Sequence, residues 1–244
     1  MPKGTRVATM LKKKAFAKKD VHWVESALDD IMIQDNVREY KKRTYFRPSS
    51  AHYCERCLWY MMMGYPQPPE EALGLRRLGI GTAYHEFIQE RLARTNLITQ
   101  PEDIELEVFN DDPPMRGFVD GIVTHPDTGE KYALELKSRN ENTNYARKAI
   151  LPSQDHLIQW NLYSLMTDIE QGLIMYINKG NQQYNIFEVE RNENILQPVL
   201  EKFRRIWDAI QSDERVPFVE CQNRFDPYRA VSYTHLTLPT NREV

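Results

Sequence analysis

Three charged residues in the middle of the chain have types and spacings that allow them to do chemistry together. Asp120 interrupts an apolar run from 117 to 124, and Glu135 and Lys137 lie two residues apart around the end of a second run, 131 to 136. Residues two apart in a strand project from the same face. Burying two carboxylates is costly unless a cation neutralises them, and a hard divalent ion with oxygen ligands does this and still leaves room for water. A neighbouring lysine can then hold that water for attack on a phosphorus atom.

The two runs also predict the element that positions these residues. They flank the segment His-Pro-Asp-Thr-Gly-Glu, which is rich in residues that interrupt strands. This pattern indicates a β-hairpin. Because 27% of the residues are charged, a solvated hairpin with a surface salt bridge is the alternative interpretation of the pattern taken alone.

The spacing of the three residues resembles a known family. Asp120, followed after fourteen residues by Glu135-Leu136-Lys137, resembles the core of the PD-(D/E)xK nuclease superfamily. The resemblance implies an α/β fold with a restriction-endonuclease-like core, in which helices flank a mixed central sheet of four or five strands. It also implies Mg²⁺ or Mn²⁺ held by Asp120, Glu135 and the backbone carbonyl of Leu136, with Lys137 as a catalytic residue.

A predicted helix before the hairpin extends the resemblance. His85, Ile88 and Leu92 share one helix face, so His85 points inward. A core histidine that bonds a neighbour is one interpretation. The segment Gly81 to Glu86 also resembles the family's helical motif, in which a histidine completes the metal site, and this makes His85 the expected fourth ligand.

A second helix, from about 153 to 168, follows the hairpin. Gln159 and Tyr163 are four residues apart and therefore neighbours on one face. In one interpretation the two side chains are buried and simply bond each other. In the other they belong to the active site, because Gln159 to Tyr163 resembles the QxxxY motif of RecB-like and CRISPR-associated nucleases. The resemblance implies that both side chains position the DNA backbone during catalysis.

The three cysteines suggest a second cofactor. Cys54 and Cys57 lie one turn apart in a helix predicted over 47 to 65, and three cysteines are too few for a disulfide framework. A zinc site lacks two ligands because no second CxxC follows. The order of residues in this helix resembles RecB-like nucleases that carry an iron–sulfur cluster, and Cys221 lies where the next cysteine is expected. The resemblance implies a 4Fe–4S cluster for which the chain offers an incomplete ligand set. The matching residues of the helix are Ser49, Cys54, Arg56, Trp59 and Tyr60.

The remaining pattern predicts the domain organisation. A basic arm and a helix packed on one face occupy 1–46, the nuclease domain occupies 47–229, and the segment 230–244 has the character of a non-native or truncated tail, with a native edge strand as the alternative. The other elements predicted are strands at 104–109, 172–178 and 184–190, a short helix through Arg147 and Lys148, and a helix over 194–211.

Composition limits the possible partners. The net charge of −3 provides no overall attraction to nucleic acid, so contacts with DNA depend on local basic patches. No apolar run is long enough to span a membrane, and we expect a cytoplasmic protein.

The function implied is that of a metal-dependent DNA nuclease, an exonuclease on single-stranded ends in phage or prokaryotic recombination, repair or CRISPR adaptation, with proteins of those pathways as possible partners. The alternatives are a non-catalytic DNA-binding or interaction module that retains the nuclease fold, and a restriction-type double-strand endonuclease.

Overall fold

The computed structural model describes residues 22–37, 39–140, 151–214 and 216. The basic arm, the helix expected through Arg147 and Lys148, Cys221 and the segment 230–244 all lie outside these residues. The chain forms two compact units, one of residues 1–39 with 69–79 and the other of residues 40–68 with 80–244.

The smaller unit contains helix α1 (Trp23–Asp35) and the first turns of a long helix, α3 (Ala72–Leu92). Arg76 of α3 binds α1 through Asp29, at 2.6 Å, and through Glu25, at 3.2 Å. None of the residues of α1 is buried. The prediction that this helix packs through one apolar face was therefore wrong, because Val24, Leu28 and Ile31 of that face are exposed.

The larger unit is built on a five-stranded sheet in the order β1-β2-β3-β4-β5. All neighbouring strands are antiparallel except β3 and β4, which are parallel. Parallel neighbours need a crossover connection, and helix α4 (Gln154–Thr167) lies between β3 and β4 in the chain. The mixed α/β fold with a flanked central sheet is confirmed. The strands are β1 (Ile104–Asn110), β2 (Met115–Thr124), β3 (Lys131–Arg139), β4 (Gln171–Asn178) and β5 (Tyr184–Glu190).

Helices cover both faces of the sheet. Ile88 of α3 packs in one buried cluster with Leu134 and Leu136 of β3. Trp160 of α4 packs in another cluster and donates its indole N–H to the carbonyl of Ala133, at 3.0 Å. Successive residues of β3 therefore face different helices, as the period of a strand requires.

One glycine is required for the contact between α4 and the sheet. A Cβ atom at Gly172 in β4 would lie 2.2 Å from the indole nitrogen of Trp160. Such a contact is far too short for any side chain, so the large indole is accommodated only where β4 has no side chain.

A separate core lies between the short helix α2 (Glu55–Met62) and α5 (Glu193–Gln211), where the ring of Phe46 stacks on Phe203 at 4.3 Å. The helix predicted over 47–65 is shorter than expected. The Ser pair after Pro48 forms a 3₁₀ turn, Pro48–Ser50, and α2 starts only after Cys54. A second 3₁₀ turn, Pro101–Asp103, precedes β1. Among the described residues, no helix is long and apolar enough to span a membrane.

Candidate active site

Asp120 lies where the pairing between β2 and β3 ends. The backbone pairs of this hairpin run from Thr124–Lys131 to Gly121–Leu134. One residue further along β2, the Oδ2 atom of Asp120 accepts the backbone N–H of Leu136, at 2.6 Å. The N–H and C=O of a strand residue point to the same side, so the carbonyl of Leu136 is also directed toward Asp120. The side chain of Asp120 is 15% exposed, so it is held but still reachable.

Helix α3 supplies two contacts to Asp120. The Nδ1 atom of His85 lies 3.1 Å from its Oδ1, and Gln89, one turn later, donates its amide to the backbone carbonyl of Asp120 at 3.0 Å. Burial acts to lower the pKa of His85, but the hydrogen bond and the negative charge of Asp120 outweigh it, so the pKa lies above its ordinary value. His85 therefore points inward, as its position on the helix predicted, and its partner is a charged group.

Glu135 is the most deeply buried carboxylate of this site, with 2% of its surface exposed. Its Oε1 atom accepts bonds from the ammonium group of Lys137 and from the amide of Gln159, the latter at 2.8 Å. Its Oε2 atom is buried and has no hydrogen-bond partner within the described parts of the chain. Burial raises the pKa of Glu135 to about 7, although the charge of Lys137 opposes this effect.

Lys137 keeps its charge in this environment. Its burial acts to lower the pKa, but the negative charge of Glu135, the hydrogen bond to it and the charge of Asp120 together raise the pKa above its usual value. The lysine is therefore a fixed cation beside two carboxylates, with 21% of its side chain exposed.

Tyr163 follows Gln159 by one turn of α4 and is buried. Burial raises the pKa of its phenol, and the charge of Glu135 acts in the same direction. The hydroxyl bonds Gln159 and the backbone of Phe118. Gln159 and Tyr163 thus bond each other, as the first interpretation expected. Gln159 also bonds the carboxylate of Glu135, so the pair contacts the candidate site as well.

The residues at this site fit a hard divalent cation. Two carboxylates, an imidazole and a backbone carbonyl are suitable ligands for Mg²⁺ or Mn²⁺. The Oε2 atom of Glu135, which has no partner among the described residues, supports this, because a buried carboxylate oxygen without a donor is costly unless a cation compensates it. Among the described residues, no three His, Cys, Asp or Glu side chains already form a metal-binding group. Here His85 bonds Asp120 and Lys137 bonds Glu135, so metal binding would exchange these contacts.

The cysteines differ from the sequence prediction in their placement. Cys54 is the residue before α2 and is partly buried, whereas Cys57 is within the helix and only 1% exposed, in the core shared with α5. The two therefore do not lie together on one helix face as predicted, because the helix starts one residue after Cys54. The third thiol of the expected cluster, Cys221, is outside the described residues, and the iron–sulfur cluster stays a prediction.

Two residues of this region were missed in the sequence. Gln89 follows His85 by four residues and shares its helix face, a spacing that could have indicated it. His156 precedes Gln159 by three residues, and its Nδ1 lies 2.8 Å from the hydroxyl of Tyr176. Tyr176 pairs with Lys137 across β3 and β4. Only the sheet order brings His156 near the lysine.

Comparisons with known proteins agree with this architecture at the level of the fold. No protein-family model and no curated protein sequence matches the chain. The crystal structure of SSO0001 is similar, with a TM-score of 0.53 and 13% identity, over 87% of this chain and 97% of that one. An alkaline exonuclease (LHK-Exo) from Laribacter hongkongensis gives a TM-score of 0.49 at 12% identity, covering 75% of this chain and 93% of that one.

The structure of LHK-Exo in complex with dAMP gives a TM-score of 0.41 at 11% identity, over 77% of this chain and 93% of that one. At 13% identity the similarity to SSO0001 extends to the fold and no further. The two exonuclease structures, with TM-scores of 0.49 and 0.41, are too distant to add to it.

Proposed function

We propose that this protein is a metal-dependent nuclease of the PD-(D/E)xK type that hydrolyses phosphodiester bonds in DNA. The observation that carries the proposal is the state of Glu135, a fully buried carboxylate that Lys137 and Gln159 hold by one oxygen while the other has no partner among the described residues. A structural salt bridge would satisfy both oxygens or leave them in water. Asp120 supplies the second carboxylate. Its side chain accepts the backbone N–H of Leu136, which follows Glu135 in β3.

Each residue of the site then has a role. His85, Asp120, Glu135 and the carbonyl of Leu136 would hold Mg²⁺ or Mn²⁺. When bound, such an ion supplies a Lewis acid that polarises a phosphoryl oxygen and lowers the pKa of a coordinated water.

The chain's own groups do the rest. The ammonium of Lys137 orients the attacking water and stabilises the negative charge that develops on the phosphate oxygens. Gln159 holds Glu135 in place, and Tyr163 donates from α4 toward the path of the DNA strand.

The finer parts of the proposal concern substrate and cofactor. A single-stranded end is the substrate that the QxxxY resemblance supports, and recombination, repair or CRISPR adaptation is the setting it implies. An iron–sulfur cluster on Cys54, Cys57 and Cys221 would need access to Cys57, which is buried among apolar side chains.

An isosteric substitution tests the carboxylate. We expect Glu135→Gln to reduce cleavage of end-labelled single-stranded DNA by at least about 100-fold in Mg²⁺, since general-base and charge effects of this kind contribute roughly 10²- to 10⁴-fold. Glu188→Gln, an exposed carboxylate on β5 of the same sheet, should retain wild-type cleavage. EDTA should abolish cleavage by all three proteins, and circular dichroism should show the same fold.

Two results would overturn the proposal. The first is wild-type cleavage by Glu135→Gln, with contaminating nuclease excluded by the EDTA control. The second is a folded wild-type protein that cleaves neither single- nor double-stranded DNA in Mg²⁺ or Mn²⁺. If that protein still bound DNA, the non-catalytic DNA-binding module would be the better description.

A further inference from the structure

A cavity of about 390 Å³ lies beside the candidate active site. Its walls come from three separate parts of the chain: the segment before α2, strand β2 and helix α4. The residues that line it include Tyr45, Arg47, Ser49, Arg116, Phe118 and Tyr163. Pockets for small ligands are typically about 300–1,000 Å³, so this cavity is large enough for one nucleotide and too small for a duplex.

The cavity adjoins the candidate site through Tyr163. Tyr163 forms part of its wall and bonds Gln159, which in turn bonds Glu135. Phe118 lies two residues before Asp120 on β2. The cavity is therefore linked to both carboxylates by short stretches of α4 and β2.

Aromatic side chains border the cavity and remain in water. Phe118 is 53% exposed, and Phe109, which pairs with Arg116 across β1 and β2, is 57% exposed. The guanidinium of Arg116 lies between two rings, 5.5 Å from that of Tyr45 and 5.6 Å from that of Phe109. Exposed aromatic surface of this kind marks an interaction site, and aromatic rings combined with arginine are the surface on which unpaired bases stack.

The charge of the cavity suits a phosphate group. Arg47 is exposed on its wall and has no ion-pair partner in the part of the chain that the structure describes. Arg116 forms an ion pair with Glu107 on β1, which neutralises that acid next to the cavity. The hydroxyl of Ser49 is also exposed here. A ligand with both a flat aromatic ring and a phosphate matches this combination.

We propose that this cavity binds a nucleotide of an unpaired DNA strand, with the base against Phe118 and a phosphate on Arg47. The bases of a duplex have no free faces, so the cavity selects a single strand or a frayed end. The role of the cavity in guiding DNA to the carboxylates rests on the proposed nuclease function, whereas binding itself does not.

The experiment measures binding without cleavage. Fluorescence anisotropy in EDTA would compare a labelled oligothymidine with a labelled blunt hairpin duplex. We expect Phe118→Ala to weaken binding of the single strand about tenfold or more, because one base-stacking contact contributes roughly that much, and to leave duplex binding within twofold. Phe118→Trp should restore single-strand binding.

A matched control is available on the opposite edge of the sheet. Tyr184 on β5 has the same exposed fraction as Phe118, 53%, and Tyr184→Ala should bind both DNAs as the wild type does. Arg47→Ala should weaken single-strand binding and reduce its salt dependence by about one phosphate contact.

Single-strand binding by Phe118→Ala within twofold of wild type would overturn the proposal, as would an equal loss for single strand and duplex. A wild-type protein that binds the single strand through Phe118 but does not cleave it in Mg²⁺ would overturn the nuclease function and leave the cavity assignment standing.

Discussion

The acid stability of the protein should depend on His156. Burial lowers the pKa of this imidazole to about 4, and Lys137, Arg139 and His52 add positive charge that acts in the same direction. Asp155 has the opposite effect, and it is too weak to compensate. In the folded protein His156 is therefore neutral over a range in which an exposed histidine would be charged.

The neutral ring has a definite use in the structure. Its Nδ1 atom lies 2.7 Å from the hydroxyl of Ser153 and 2.8 Å from that of Tyr176. The backbone N–H of Ser153 donates to the Tyr176 hydroxyl at 3.1 Å, which leaves that hydroxyl free to donate to Nδ1. Protonation of Nδ1 would remove the acceptor from this network.

The size of the stability loss in acid follows from the difference in the pKa of His156 between the unfolded and the folded chain. The ordinary value is 6.5 and the folded value is about 4, so between these two pH values the unfolded chain binds a proton that the folded one does not. Stability therefore falls as the pH falls through this window. At about 1.36 kcal/mol for each pKa unit, the loss is about 2 kcal/mol at pH 5 and about 3 kcal/mol at pH 4 and below.

The assay is urea unfolding at pH 7 and pH 5. His156→Asn keeps a side-chain acceptor and removes the titration, so the wild type should lose about 2 kcal/mol more than this variant between the two pH values. Other acid-sensitive groups are common to both proteins and cancel. His125→Asn, on the exposed turn between β2 and β3, should behave as the wild type does. Equal losses for the wild type and His156→Asn would refute the reasoning.

Three further outcomes can be measured. Gly172→Ala should destabilise the fold by about 1–3 kcal/mol in thermal unfolding, because its Cβ would overlap Trp160. The control is Gly79→Ala in a helix, where nothing lies within 4 Å of the added Cβ, and it should be neutral or stabilising. Equal effects of the two substitutions would contradict the packing assigned to Trp160. Gln159→Ala should lower Mg²⁺ affinity or turnover about 10- to 100-fold, as loss of a contact that orients a ligand does, and an unchanged titration together with unchanged turnover would make the residue structural. His85→Ala should weaken Mg²⁺ binding in calorimetry more than it lowers the melting temperature, and the reverse order would make His85 a core residue.

The local elements were predictable because their causes are local. The hairpin carrying Asp120 and Glu135 is determined by two apolar runs and a turn rich in strand-breaking residues, and its strands form as predicted. The last helix, α5, follows its apolar stripe in the same way. The start of α2 was misplaced because the serine pair after Pro48 forms a 3₁₀ turn, and short polar sequences of this kind fit either turn or helix cap.

The sequence by itself determined which residues can bind a metal ion or take part in catalysis, and which helices and strands carry them. Residue type and periodicity are properties of short segments. Only the tertiary structure decided how they meet. The bond between His85 and Asp120 joins residues 35 apart, and the bond between Gln159 and Glu135 joins residues 24 apart. The oxygen of Glu135 that has no partner among the described residues, and the cavity beside Phe118, exist only because helices and strands distant in the chain pack around them. Contacts of this kind depend on the whole fold, because burial and the distance between charges are set by every element that packs against the site.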